Sequence, residues 1–175
     1  LSSRSNEMPA SQRQMVVAIL LCSLFSWLIL PLSTETMKVF VTAYKIPTDA
    51  MMSALHVGDR ILTDNTAFFR KDPARGDVAV FEYPLDQEKT FIKRVVGLPG
   101  DKLELKDGSV YVNGNRMQLF PEVYHYNIED SEYGKSGQVL NVPDDHYFVL
   151  GDYSAHSSDS RSWGFVPKTN MKGKA

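Results

Sequence analysis

Residues 90–113 read TFIKRVVGLPGDKLELKDGSVYVN, and their punctuation points to β structure. Thr90 to Val96 is rich in Val, Ile and Phe and stops at Gly97-Leu98-Pro99-Gly100-Asp101. Lys102 to Lys106 and Ser109 to Asn113 flank Asp107-Gly108, a dipeptide suited to the type I′ turn of a tight hairpin. Asn113-Gly114-Asn115 marks the next turn. Working outward, Arg60 to Thr63, Asp77 to Tyr83 and Tyr147 to Leu150 are runs of the same kind. Beyond residue 40 there is no helical pattern of convincing length and no internal repeat. The expected class is mainly β, an antiparallel domain of coiled sheets or a barrel. Residues 120–146, with Glu122, Glu129, Asp130 and Glu132 among tyrosines and glycines, lack periodicity and read as a solvated insertion.

The 175 residues suffice for one domain and an appendage. Apolar residues at 43% and charged residues at 23% are globular averages, which argues against a polytopic membrane protein and against global disorder. A net charge of -2 offers no electrostatic footprint for nucleic acid. The lone Cys22 excludes an internal disulfide framework and a multi-cysteine zinc site. His56, His125, His146 and His156 have no ligand spacing, so neither metal nor cofactor is expected.

The average conceals one extreme. Met15 to Leu32 reads MVVAILLCSLFSWLILPL, 18 residues without a charge. As a helix it would measure about 27 Å, just enough for a bilayer core. Ser23 and Ser26 can bond back to helix carbonyls and are tolerable there. The run ends without an Ala-x-Ala exit, so an uncleaved single-pass anchor is expected rather than a removed signal peptide. The expected organisation is a segment 1–14, an anchor 15–32 and a β domain 33–175. Arg4 and Arg13 before the run and Lys38 and Lys45 after it leave its orientation undecided.

Three clusters carry chemistry: residues 46–52, residues 91–101 and residues 151–166. Period-2 alternation puts Phe91, Lys93 and Val95 on one face of a strand and Ile92, Arg94 and Val96 on the other. One of these adjacent cations must then lie among apolar side chains or at a sheet edge. A buried lysine has a lowered pKa and can act as a general base, whereas one near a strand end snorkels to water. In GDYSAHSSDSRSWGFV, Asp159 and Arg161 can form a bidentate pair that fixes the loop, and Asp152 can join them. Read by itself, this segment is a polar loop.

Taken in order, these clusters resemble type I signal peptidases, the membrane-anchored serine proteases that remove signal peptides. The resemblance rests on Lys93-Arg94 with Gly97-Leu98-Pro99-Gly100-Asp101, and on Gly151-Asp152 with Ser157-x-Asp159-Ser160-Arg161 and Trp163-Gly164. It runs from the anchor to the C-terminus. It implies Lys93 as general base, Thr48 and the residue 50 N–H as oxyanion donors, and Ser157 as the group orienting Lys93. Gly151, Asp152, Asp159 and Arg161 would be supporting residues. Ile46, Pro47, Met51, Val80 and Ile92 would line pockets for the small side chains of an Ala-x-Ala-like site. Tyr153 and His156 stand where the family often has Asn, and Ser53-Ala54 where it usually has Pro-Thr. The family also continues into an apolar strand where this chain stops at Lys172-Gly173-Lys174-Ala175.

One departure bears on chemistry. The nucleophilic serine maps to Ala50, which has no oxygen to attack a carbonyl. The reading adopted is an inactivated Ser-to-Ala form of a signal-peptide-cleaving endopeptidase using a Ser/Lys dyad. The alternatives are a natural non-cleaving chaperone or assembly factor for exported proteins, and a displaced nucleophile at Ser53 or Thr48. The resemblance implies signal-peptide-bearing preproteins, membrane lipid and the export machinery as partners, with the β domain on the trans side of the membrane.

Overall fold

Alternation of buried and exposed side chains along short strands builds this fold, seen here in a computed structural model that describes residues 15, 17–26, 40–118, 132–135 and 137–175. The chain divides into two units, Leu1–Phe40 and Val41–Ala175. In the first, residues 17–26 are helical, and Ser23 Oγ donates back to the Leu20 carbonyl at 2.9 Å. Its apolar side chains, Leu21, Leu24 and Phe25 among them, are exposed. Part of the expected anchor, residue 16 and residues 27–32, lies outside the described residues. Among the described residues no helix is long and apolar enough to cross a membrane.

The second unit is antiparallel β. Its strands are β1 (Val41–Lys45), β2 (Arg60–Asp64), β3 (Val78–Tyr83), β4 (Asp86–Gly97), β5 (Lys102–Lys106), β6 (Ser109–Val112), β7 (Asn115–Arg116), β8 (Val139–Asn141), β9 (His146–Leu150), β10 (Val166–Pro167) and β11 (Met171–Lys174). Seven form one sheet in the order β1-β2-β11-β3-β4-β9-β10, and four form a second in the order β7-β6-β5-β8. In β5, Leu103 and Leu105 are buried while Lys102 and Lys106 are exposed, the pattern of a strand with one wet face. The expected β5–β6 hairpin turns at Asp107 and Gly108, with φ of 50° and 68°, as a type I′ turn requires.

Two cores lie on opposite sides of β4 and β9. Val96, Phe148 and Leu150 belong to one, packed with Leu103, Leu105, Val110 and Leu140. Val95, Tyr147 and Val149 belong to the other, packed with Ala79, Phe81, Trp163 and Val166. The second half of β4 therefore has no solvent face, which explains its near-continuous apolar run.

One expectation changes on inspection. The insertion expected over 120–146 is integrated at its C-terminal end: β8 pairs with β5, and Leu140 and Val142 are buried. Residues 119–131 and 136 lie outside the described residues. Residues Met171–Lys174, which no sequence pattern marked as a strand, enter the large sheet between β2 and β3. Met-Lys-Gly-Lys has no β signature, and its place is set by packing. A Cβ at Gly173 would stand 2.6 Å from the Asp64 carbonyl and 2.7 Å from Thr63 Cγ2. Gly173→Ala is therefore expected to lower the unfolding free energy by about 1–3 kcal/mol in urea titration, as overpacking does.

Candidate active site

Two loops and one strand meet at the site. The first loop leaves β1 and returns to β2, and it is closed at its neck by Ile46 N–H donating to the Asp59 carbonyl and Gly58 N–H to the Ile46 carbonyl, both at 2.9 Å. Inside it, Met52 N–H donates to the Asp49 carbonyl and Leu55 N–H to the Met51 carbonyl, both at 2.8 Å, a single helical turn. Met51, 1% exposed, anchors this turn, and Ala50 is buried at its start. Thr48 is exposed. Neither its hydroxyl nor the Ala50 N–H has a hydrogen-bond partner among the described residues.

The second loop leaves β9 at Gly151 and ends at the short helix Ser160–Trp163, which Asp159 caps through the Arg161 N–H. Asp159 and Arg161 form the expected bidentate pair, Nε to Oδ1 at 2.8 Å and Nη2 to Oδ2 at 2.9 Å, fully inside the protein. Arg161 also donates to Ser154 Oγ at 2.6 Å and to the Ser154 carbonyl at 2.9 Å, and Gly151 N–H donates to Asp159 at 3.0 Å. The pair thus holds both ends of the loop.

Asp152 does not join them. It accepts from Arg94 Nε at 2.7 Å and Nη2 at 2.5 Å, and from Ser53 Oγ at 3.3 Å. Arg94, opposite in facing to Lys93 on β4, had no partner assigned from sequence. The signal was present in the two adjacent cations, both of which are buried rather than one. Ser53 and the contact between His156 Nδ1 and Asp49 Oδ2, at 2.7 Å, were also missed as ties between the loops. With Tyr153 N–H donating to the Ala50 carbonyl at 3.0 Å, they sew the first loop to the second.

Lys93 precedes Arg94 on β4. It pairs with Ala79 on β3, while Arg94 pairs with Leu150 on β9, so continuing the register sets Gly151 across from Lys93. Position 151 admits no side chain, since a Cβ there would lie 2.0 Å from Ser157 Oγ and 2.7 Å from the Ala50 carbonyl. Ser157 Oγ is buried and has no hydrogen-bond partner among the described residues. Lys93 is 5% exposed, lies 5.6 Å from the Phe91 ring centroid, and makes no hydrogen bond or ion pair among the described residues. Burial pushes its amine below the ordinary 10.5, and Asp159 and Asp152 only partly oppose this. Of the expected pocket residues, Ile46 and Val80 are buried, Ile92 is half-buried beside Val80, and Pro47 is exposed. Among the described residues no cluster of metal ligands occurs.

The arrangement makes two stability predictions. Asp152→Ala leaves the Arg94 guanidinium buried without its carboxylate and is expected to cost about 3–5 kcal/mol in denaturant unfolding. Lys93 binds its proton more weakly folded than unfolded, so stability rises with pH from the lowered folded value up to 10.5. Lys93→Met is expected to flatten that alkaline rise, and an unchanged profile would refute the depressed amine.

The model of the signal peptidase family, peptidase S26, matches residues 13–175. A probable signal peptidase I-2 of Synechocystis sp. is 40% identical over 136 residues, covering 74% of this chain and 59% of that protein. A signal peptidase I of Leptolyngbya laminosa is 36% identical over 138 residues, 74% of this chain and 64% of its own. One from Aquifex aeolicus is 30% identical over 187 residues, 76% of this chain and 73% of its own. The chain thus spans about three-fifths of the length of the first two relatives. With its match running through both loops and the lysine strand, the chain belongs to the signal peptidase S26 family.

Proposed function

We propose that this domain is a signal peptidase reaction centre that recognises the small-residue end of a signal peptide and lacks only the attacking oxygen. The reading is supported by the buried Lys93 side chain, which makes no hydrogen bond or ion pair among the described residues, and by Gly151, where a Cβ would lie 2.0 Å from Ser157 Oγ and 2.7 Å from the Ala50 carbonyl. An amine without an internal carboxylate is the form a general base needs.

With a serine at position 50, neutral Lys93 takes the hydroxyl proton as the oxygen attacks the scissile carbonyl carbon. The developing oxyanion accepts from the Ala50-position N–H and the Thr48 hydroxyl, both free of other partners. The ammonium of Lys93 returns the proton to the departing amine, and water then resolves the ester. Ser157 holds the amine in place. Ile46, Pro47, Met51, Val80 and Ile92 accept the side chains of an extended substrate lying as an added strand. Asp159–Arg161 and Asp152–Arg94 stiffen the surrounding loops. Attachment through residues 15–32 keeps this site at the exoplasmic face of a membrane, where preproteins emerge.

With Ala50, the same site binds without cleaving, and Ser53 is held by Asp152 in another role. The test is restoration of the oxygen. Ala50→Ser is expected to process a preprotein carrying an Ala-x-Ala site in membranes or detergent. The chain as it stands and Ala50→Ser/Lys93→Ala should fall short by a factor on the order of 10⁶. Processing should rise with pH around a midpoint below 10.5, where burial sets Lys93. No processing by the serine variant would overturn the protease reading. Processing by the unchanged chain would move the nucleophile elsewhere.

A further inference from the structure

The turn that carries residue 50 is tied to the second loop at residues 49, 50 and 53. The Ala50 carbonyl accepts from the Tyr153 N–H at 3.0 Å, and Ser53 Oγ donates to Asp152 at 3.3 Å. The remaining tie joins His156 Nδ1 to Asp49 Oδ2 and is the shortest, at 2.7 Å. A carboxylate only accepts, so Nδ1 carries the hydrogen. The imidazole is itself held in place. His156 ends the 3₁₀ turn Ser154–His156, its N–H donates to the Tyr153 carbonyl at 3.1 Å, and its ring centroid lies 4.5 Å from that of Tyr153.

We propose that His156 is a positioning residue for signal-peptide cleavage, acting through Asp49 to fix the turn on which residue 50 stands. The inference rests on the serine–lysine reading above and adds a group that acts at one remove from the reacting atoms.

Asp49 immediately precedes residue 50, and its carbonyl accepts the Met52 N–H at 2.8 Å, the bond that opens the turn. Its main chain therefore belongs to the turn and its side chain to the clasp. A single hydrogen bond between two loops leaves them free to pivot about it, and ties spread along the turn oppose that pivot. The clasp at Asp49 is the one tie to the second loop on the Thr48 side of residue 50. Upstream of it, the next hydrogen bonds among the described residues are those of Ile46 at the neck. The other carboxylates of the two loops are committed elsewhere. Asp152 binds Arg94, Asp159 binds Arg161, and Asp59 accepts from the His56 N–H at 2.8 Å.

Magnitudes separate positioning from stabilisation. The His156 and Asp49 side chains are 55% and 33% exposed, and an ion pair so open to water adds little to folding. A displacement of about 1 Å near the reacting atoms, by contrast, can cost on the order of 10²-fold in rate. Loss of the clasp is thus felt in turnover and hardly at all in stability.

The test uses the full chain in detergent. In the Ala50→Ser background, cleavage of a preprotein with an Ala-x-Ala site is followed for His156→Ala, Asp49→Ala and the two combined. Each single variant is expected to lower kcat about tenfold, with KM within about twofold and the urea midpoint unchanged. The combined variant should lose no more than either alone, because both remove the same contact. His156→Asn should recover most of the rate, since Asn Nδ2 is as many bonds from Cβ as His Nδ1 and also donates. In the chain bearing Ala50, hydrogen exchange reads the clasp without catalysis. There His156→Ala should speed exchange at the Tyr153 and Met52 N–H and leave the Asn113 N–H, bonded to the Lys102 carbonyl, unchanged. Additive rate losses, no recovery by Asn, or unchanged exchange at Tyr153 would each overturn the proposal. If Ala50→Ser cleaves and His156→Ala cleaves as fast, the positioning role alone is lost. If Ala50→Ser does not cleave, the protease reading falls and the positioning role falls with it.

Discussion

Strand β4 has a hydrophobic core on each side of its second half, and its two adjacent cations must therefore both live inside the protein. The two are accommodated in opposite ways. Arg94 receives a bidentate carboxylate from Asp152, which a guanidinium cannot do without because it does not deprotonate. Lys93 receives none and shifts its pKa instead. Chemistry and scaffold are thus separated by one residue and a change of face. The remaining polar features follow from that division: Asp152 reaches back to Ser53, Asp159 and Arg161 fix the ends of the second loop, and Gly151 has no side chain to clash with Ser157 and the Ala50 carbonyl.

Much of this was legible before any coordinates, because the signals were local. The Asp107-Gly108 turn, the strands around it and the Asp159–Arg161 pair each depend on residues close together in sequence, and each is present. What escaped is long-range. Asp152 was grouped with its sequence neighbours, yet its partner lies 58 residues away on another strand. β8 looked like solvated loop because its three residues show no periodicity by themselves, and only pairing to β5 buries Leu140. β11 was invisible because a strand written Met-Lys-Gly-Lys is specified by what lies beside it. The candidate site residues were named through motif order, so Lys93, Ser157 and residue 50 could be proposed while the hydrogen bonds between the two loops could not.

Residue 50 is tied to the scaffold through its main chain. Its carbonyl accepts from the Tyr153 N–H, and its own N–H has no hydrogen-bond partner among the described residues. Contacts carried by main chain, ion pairs and a glycine do not depend on the side chain that residue 50 bears. That independence is why the chain can be read as a binder and as a protease scaffold from the same coordinates.

The position of β11 also sets an order of events. The loop bearing Ala50 hangs between β1 and β2, whereas Lys93 belongs to β4 and Ser157 follows β9. β11 stands between β2 and β3 and joins the two parts of the sheet, with Lys174 registered against Asp64, 110 positions earlier. Pairings at such separation are late in folding, because the intervening loop must be closed first. During synthesis the amine and the residue 50 loop therefore remain on unjoined pieces of sheet. The seven-stranded sheet is continuous only once β11 stands between them, so its two parts wait on residues 171–174.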